Sequence, residues 1–125
     1  MPDADGPRVL LVDPYLARED PMERKFVELY PSLGILQLGA YARAHHCDVR
    51  VVDLTFARGI RSVEAALREF RPLVLGVHTK TLTFERCREI AAAARAAGVF
   101  SLAGGPDSAT RPALYLDAAF DAVGT

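Results

Sequence analysis

The sequence predicts an α/β fold: a doubly wound parallel sheet of five strands with helices on both faces. Two observations support this prediction. Five short apolar runs, rich in branched residues, alternate with segments of helical periodicity, and a length of 125 residues suits one domain. Strict alternation of strands and helices favours parallel strands joined by right-handed crossovers. Five strands in this length are typical of the three-layer, flavodoxin-like (Rossmann-like) arrangement with strand order 2-1-3-4-5.

Each predicted element has a local basis. The apolar runs place strands at residues 9–12, 49–52, 73–77, 99–103 and 120–123, and helices lie between them at residues 33–44, 60–70, 83–97 and 112–118. Arg71 and Pro72 end the second helix. Thr83 is the expected N-cap of the third helix and Gly98 suits its C′ position. Pro112 suits the first turn of the last helix.

Two of these helices carry apolar residues at helical spacings. They are Leu33, Leu36, Ala40 and, on the adjoining face, Tyr41 in the first helix, and Val63, Ala66, Leu67 and Phe70, on one stripe, in the second. We expect these positions to mark the faces that pack against the sheet.

Composition and charge disfavour several classes of function. The net charge is −1, which gives no general attraction to nucleic acid or to an anionic membrane. Cys47 and Cys87 stand far apart with no cysteine beside either, so neither a zinc site nor a disulfide framework is indicated. There is no signal-peptide pattern and no apolar run near the roughly 20 residues of a membrane span. We expect a cytoplasmic domain with no nucleic-acid or membrane partner.

The fold predicts where a ligand binds. In doubly wound sheets the ligand lies beyond the carboxyl ends of the strands, where strand order reverses. Residues 13–32, 78–82 and 104–111 reach that edge. The first of these segments is much longer than the roughly 2–6 residues of a typical strand-to-helix link. Long loops at a ligand edge usually serve function.

Candidate cofactor-binding residues occupy all three segments. They are Asp13, Tyr15, His78, Thr79, Lys80, Thr81, Gly104, Gly105 and Pro106. The glycine pair either lets the backbone approach a flat or phosphate-bearing cofactor or forms a tight turn before proline. Residues 78–81 either bind a phosphate or an amide-decorated ring or form a solvated loop. The Asp13 carboxylate is suited to binding a metal, accepting a proton or capping the turn. The Tyr15 side chain is suited to stacking on a ring of a ligand. No residue is assigned as a catalytic group or a metal ligand.

Other classes of α/β protein fit less well. A phosphorelay receiver domain has its phosphorylated aspartate at the end of strand three, where this chain has His78. A dinucleotide-binding protein requires G-x-G-x-x-G after strand one, which is absent, so Asp53 does not indicate a ribose site. The Ser- and Thr-rich loop of flavodoxin is also missing. No Ser-His-Asp or Cys-His set can be assembled.

One longer pattern is more specific. The run YPSLGILQLGAYAR at residues 30–43, followed by DVRVVD at residues 48–53, resembles the amino-terminal cobalamin-binding domain of cobalamin-dependent radical SAM enzymes. The usual pattern of that family is YPPLGLxYLAAxLR, a short gap and VxVxD. The resemblance continues through RPLVLGV at residues 71–77 and LAGGP at residues 102–106. It covers nearly the whole chain from Arg8, and DAVG at residues 121–124 also fits.

The resemblance implies a single domain over residues 1–125, with a disordered tail at residues 1–7, that holds cobalamin at the carboxyl edge of the sheet. Gly104, Gly105 and Pro106 would border the nucleotide tail, residues 78–81 would lie near the lower face of the corrin, and residues 13–18 would contribute from strand one. SAM and a [4Fe–4S] cluster belong to the family's catalytic barrel, whose Cys-x-x-x-Cys-x-x-Cys motif this chain lacks. The implied partner is a radical SAM domain in cis or in trans, with methyl transfer as the candidate reaction, and the chain is not expected to be catalytic alone.

The sequence departs from one related pattern. Cobalamin modules that coordinate cobalt through histidine carry D-x-H-x-x-G, whereas here Tyr15 replaces the histidine and Arg18 the glycine. His78 is another residue able to approach cobalt, although its chain position matches a serine that supports the histidine in those modules. The alternative is a degenerate domain of the same fold that binds no cofactor and serves docking or regulation. The missing histidine and Lys80 favour that alternative.

Overall fold

The sheet has the strand order that the sequence predicts. A computed structural model of the protein describes residues 6–14, 33–55, 57, 59–80 and 83–124. Its strands are β1 (Arg8–Asp13), β2 (Asp48–Asp53), β3 (Val74–His78), β4 (Phe100–Gly104) and β5 (Ala122–Val123). Its helices are α1 (Leu33–Ala44), α2 (Arg61–Glu69), α3 (Phe84–Ala96), α4 (Pro106–Thr110) and α5 (Pro112–Asp117). The strands pair in parallel in the order β2-β1-β3-β4-β5, which confirms the flavodoxin-like fold.

The sequence missed one helix, α4. This helix has five residues, with Pro106 in its first turn. It is therefore too short to show a helical period. The other four helices lie within one residue of their predicted bounds at each end. β5 begins two residues later than the apolar run suggested, at Ala122, because Phe120 precedes the strand and packs in the core.

One face of the sheet packs against α2, α3 and α5 and forms the larger core. The strands contribute Leu10, Val12, Leu75, Val77 and Ala103 to it, and the helices contribute Val63, Ala66, Leu67, Cys87, Ile90, Ala91, Ala94 and Tyr115. The predicted stripe of α2 is confirmed, since all four of its residues, including Phe70, are buried. Burying one such aliphatic side chain stabilises the fold by about 1.5–3 kcal/mol.

The opposite face carries α1, which packs over β1 and β2. Leu11, Ile35 and Val49 form its small core. Gly39 is buried on this face, and a Cβ at that position would lie 3.6 Å from Val49 Cγ1, an ordinary van der Waals distance.

The predicted buried stripe of α1 is wrong. Leu36, Ala40 and Tyr41 are exposed, and Ile35 and Gly39 are the residues buried against the sheet. The side chain of Leu33 lies outside the described part of the chain. The apolar residues of α1 surround the helix, so their spacing does not identify the buried face.

The predicted helix ends are largely confirmed. Thr83 occupies the N-cap position of α3 but makes no side-chain capping bond. Its hydroxyl instead donates to the Lys80 carbonyl at 3.0 Å and accepts from the Lys80 amide at 3.2 Å. Gly98 has φ +71° just after α3, as a C′ glycine does. Pro112 stands in the first turn of α5.

Candidate functional site

Three strand ends meet at the carboxyl edge of the sheet. The register pairs Val12 with Val77 and His78 with Gly104, so Asp13, His78 and Gly104 end neighbouring strands side by side. Because side chains alternate across a strand, these residues share the α1 side of the sheet with the Leu11–Gly76–Leu102 row beneath them. The edge therefore brings together residues from two of the predicted loops and from the end of β1.

An apolar cleft of about 280 Å³ opens on this side of the sheet. Its lining comes from α1, β1, β3, β4 and the residue after β4: Leu11, Gly34, Ile35, Leu38, Gly76, Val77, His78, Leu102, Gly104 and Gly105. A Cβ on Gly76 would lie 3.0 Å from Leu11 Cδ2, so glycine lets the Leu11 side chain pack there, whereas Gly104 leaves space in the lining. Among these lining residues, His78 alone has a side-chain atom that can form a hydrogen bond or bind a metal.

The two glycines after β4 have different structural roles. Gly105 has φ +104°, and a Cβ there would lie 3.1 Å from the amide nitrogen and the carbonyl oxygen of Thr79. A side chain at this position would therefore be strained and crowded. A Cβ on Gly104 would meet no atom of the described residues within 4 Å. The fold thus requires glycine at position 105, whereas the space beside Gly104 is open.

A buried hydrogen-bond network holds the loop after β3 against α4. Thr79 is fully buried, and its hydroxyl donates to the Gly104 carbonyl at 2.8 Å and lies 2.9 Å from Ser108 Oγ. The same hydroxyl accepts from the Ser108 amide at 2.9 Å, and the Thr79 amide donates to the Gly104 carbonyl at 2.7 Å. Thr79 therefore supports the glycine pair from behind and does not line the cleft.

His78 is half-buried at the cleft. Burial lowers the pKa of its imidazole below the ordinary value of 6.5, the Asp13 carboxylate opposes this change, and Lys80 adds to it. Asp13 itself is buried. The imidazole is therefore neutral near pH 7, with one ring nitrogen able to donate a lone pair.

A second, polar depression of about 510 Å³ lies beside the cleft. Lys80, Pro106, Asp107, Thr110 and Arg111 line it. Asp107 accepts hydrogen bonds from Arg111 Nε at 3.1 Å, from Arg111 Nη2 at 2.7 Å and from the hydroxyl of the buried Tyr115. Such buried polar atoms require partners, so this network fixes α4 to α5.

The structure thus sorts the predicted site residues. His78, Gly104 and Gly105 line the cleft, and Asp13 ends the neighbouring strand without lining it, whereas Lys80 and Pro106 line the polar depression. Tyr15 and Thr81 lie outside the described residues. Sequence reasoning missed Gly76 and Leu38 in the lining. Gly76 carried a signal, because a glycine inside a strand often marks close approach of a ligand or backbone, but Leu38 carried none.

Other chemistry is scarce in the part of the chain that the structure describes. That part holds no cluster of three or more His, Cys, Asp or Glu suited to a metal ion. Cys87 is fully buried, and burial raises the pKa of its thiol to about 12, so a reactive thiolate is rare at neutral pH. None of the described helices combines the length and apolar character that a membrane crossing requires.

The fold and the cleft define an α/β ligand-binding domain of flavodoxin-like type. The chain belongs to the B12 binding domain family, whose model matches residues 22–125. No curated protein matches the chain in sequence.

Solved structures similar to this chain include the following two. One is a cobalamin-binding protein from Desulfitobacterium hafniense DCB-2, with 18% identity, a TM-score of 0.62 and coverage of 95% of this chain and 52% of that protein. The chain therefore spans about half the length of that protein. The other is the response regulator domain of Thermotoga maritima CheB, with 16% identity, a TM-score of 0.45 and coverage of 96% and 78%.

Proposed function

We propose that this chain is a cobalamin-binding module that holds the corrinoid at the carboxyl edge of its sheet, with the nucleotide tail of the cofactor in the apolar cleft. One observation carries the proposal: the cleft opens where strand order reverses, and Gly76, Gly104 and Gly105 line it. Membership of the B12 binding domain family supports the choice of ligand.

The cleft suits one part of the cofactor. Its volume of about 280 Å³ is close to the lower end of the roughly 300–1,000 Å³ of small-molecule pockets, which fits a heteroaromatic ring with its sugar and not a whole corrinoid. The apolar side chains of Leu11, Leu38 and Leu102 suit the faces of such a ring. The corrin would then lie outside the cleft, beside Asp13 and His78.

The chain's own residues would bind the cofactor and exclude water. The leucines would cover the ring, and Gly104 would leave it space. Gly105 and Thr79 would keep the border of the cleft rigid through the hydrogen bonds to Gly104 and Ser108. Lys80 and Pro106, in the neighbouring polar depression, would face the polar substituents of the corrin, and we retain Tyr15 and Thr81 as proposed contacts because of their place in the sequence.

We further propose that the module serves a radical SAM catalytic domain, in cis or in trans, that holds SAM and a [4Fe–4S] cluster. Bound cobalamin supplies a carrier for methyl groups, so methyl transfer is the proposed reaction of the combined enzyme. The sequence patterns at residues 30–43 and 48–53 support this context. A cytoplasmic location accords with the reducing conditions that such clusters require, and it stays a prediction, as does the tail at residues 1–7.

The test is retention of hydroxocobalamin through gel filtration, read from the corrin absorption that elutes with the protein. In Gly104→Leu the new side chain enters the open space beside the cleft. We expect the variant to fold and to lose at least about tenfold in retained corrin, because overlap with a ring costs more than about 1.4 kcal/mol. Gly59→Leu is the matched control, since a Cβ at Gly59 also meets nothing within 4 Å and lies away from the cleft.

Two outcomes would contradict parts of the proposal. A folded wild-type chain that elutes without corrin would overturn cobalamin binding. Equal retention of corrin by Gly104→Leu and Gly59→Leu would contradict the placement of the nucleotide tail in the cleft.

The second candidate is a domain of the same fold that binds no cofactor and serves docking or regulation. Tyr15 in place of a cobalt-binding histidine and the exposed Lys80 beside the cleft favour it. A native circular dichroism spectrum together with no retained corrin is the result expected from this candidate.

A further inference from the structure

Building on the proposed function, we infer that His78 supplies the lower axial nitrogen to the cobalt of bound cobalamin, in place of the cofactor's own base. His78 ends β3 at the edge of the sheet where the corrin would lie. It is also the one cleft-lining residue, among those the structure describes, with a metal-binding side-chain atom. Imidazole is a suitable ligand for first-row transition metals.

Two strand neighbours of His78 among the described residues carry no side chain. Gly104 is its register partner in β4, and Gly76 stands two residues earlier on the same face of β3, so neither neighbour has a side chain that covers the imidazole. Nδ1 faces the backbone at Gly105, where a Cβ would lie 3.1 Å from it. We therefore assign Nε2 as the nitrogen that reaches cobalt.

One acidic side chain stands beside His78. Asp13 ends the neighbouring strand and is buried beside it. A carboxylate near a coordinating imidazole increases its basicity.

The other histidines of the chain are placed elsewhere. His45 and His46 follow α1 immediately before β2, at the amino edge of the parallel sheet. The cofactor is proposed to bind at the carboxyl edge. A histidine ligand at that edge is therefore His78.

Electron paramagnetic resonance of the cobalt(II) form tests this assignment. A nitrogen-14 ligand splits the cobalt lines into triplets, and a nitrogen-15 ligand splits them into doublets. Protein in which only the histidines carry nitrogen-15 is loaded with unlabelled hydroxocobalamin, gel-filtered and reduced. We expect doublets from the wild type and from His45→Gln, and no doublets from His78→Gln.

The outcomes separate this inference from the proposed function. Triplets from the labelled wild type would show that the cofactor's own base stays on cobalt, and unsplit lines would show that no nitrogen is bound. Either result, or doublets that persist in His78→Gln, overturns the inference and leaves cobalamin binding intact. A wild-type chain without corrin overturns both. If His78→Gln retains no corrin, doublets in the labelled wild type and in a His45→Gln/His46→Gln double variant still establish His78 as the ligand, and their absence refutes it.

Discussion

The two faces of the sheet are built from alternate residues of the same strands, yet they pack very differently. On the face covered by α2, α3 and α5, Leu10, Leu75 and Ile90 have no exposed surface. On the α1 face, Leu38 is 52% exposed and Phe100 is 49% exposed. The first face therefore contributes most of the burial that stabilises the fold, and the second leaves space at β3 and β4 for a ligand.

β3 shows how one strand serves both purposes. Leu75 and Val77 point into the large core, whereas Gly76 and His78 point to the cleft. A glycine inside a strand normally weakens it. Here the neighbours on the opposite face anchor the strand, so the cleft can form without loss of the sheet.

The largest expected effect is that of a cavity in the packed face. Ile90→Ala should lower the free energy of unfolding by about 2–5 kcal/mol, because the fully buried side chain leaves a void. Leu38→Ala, on the cleft face, should lower it by less than about 1 kcal/mol, because Leu38 is half-exposed, but should reduce corrin retention. Urea denaturation of both variants measures the difference, and equal losses would contradict the division between the faces.

A smaller effect is expected within the cleft border. Gly105→Ala should destabilise the fold by about 1–3 kcal/mol, because an alanine at φ +104° is strained and its Cβ crowds the Thr79 backbone. Gly104→Ala is the matched control and should change stability by no more than about 0.5 kcal/mol. Thermal and urea unfolding of the two variants measures this difference in stability. Coincident midpoints would contradict it.

The smallest effect is expected in the pH dependence of stability. Because burial lowers the pKa of His78 below 6.5, the unfolded chain binds this proton more readily than the folded chain. The contribution of His78 to the free energy of unfolding is therefore complete above the pKa that His78 has in the unfolded chain. It declines as the pH falls through the lower pKa of the folded state.

Urea unfolding between about pH 8 and about pH 5 checks this direction. His78→Gln should flatten the decline towards acid, whereas Ile90→Ala should shift the whole curve down without changing its slope. An unchanged slope in His78→Gln would show that the imidazole titrates alike in both states.

The fold could be predicted because it depends on local patterns. Alternating apolar runs and helical segments identified every strand and four helices, and the buried stripe of α2 followed from its period. The face of α1 could not be predicted, since its apolar residues surround the helix and their spacing does not single out one side.

The candidate site was predicted only in outline. The strand ends Asp13, His78 and Gly104 followed from the general rule for doubly wound sheets. The buried role of Thr79 could not be predicted, because its partner Ser108 lies on α4, a helix too short to be recognised. The cleft itself depends on the distance between α1 and the sheet, which no sequence pattern specifies.

The contrast between Gly104 and Gly105 gives a criterion for interpreting related sequences. Selection for folding alone suffices to keep glycine at position 105, because its positive φ and the Thr79 backbone behind it exclude side chains. At position 104 no described atom lies within 4 Å of an added Cβ, so the described part of the fold does not require glycine there. A lineage that retained only the scaffold is therefore free to drift to bulky residues there, so position 104, and not its neighbour, is the marker that separates cofactor-binding relatives from those that kept the architecture alone.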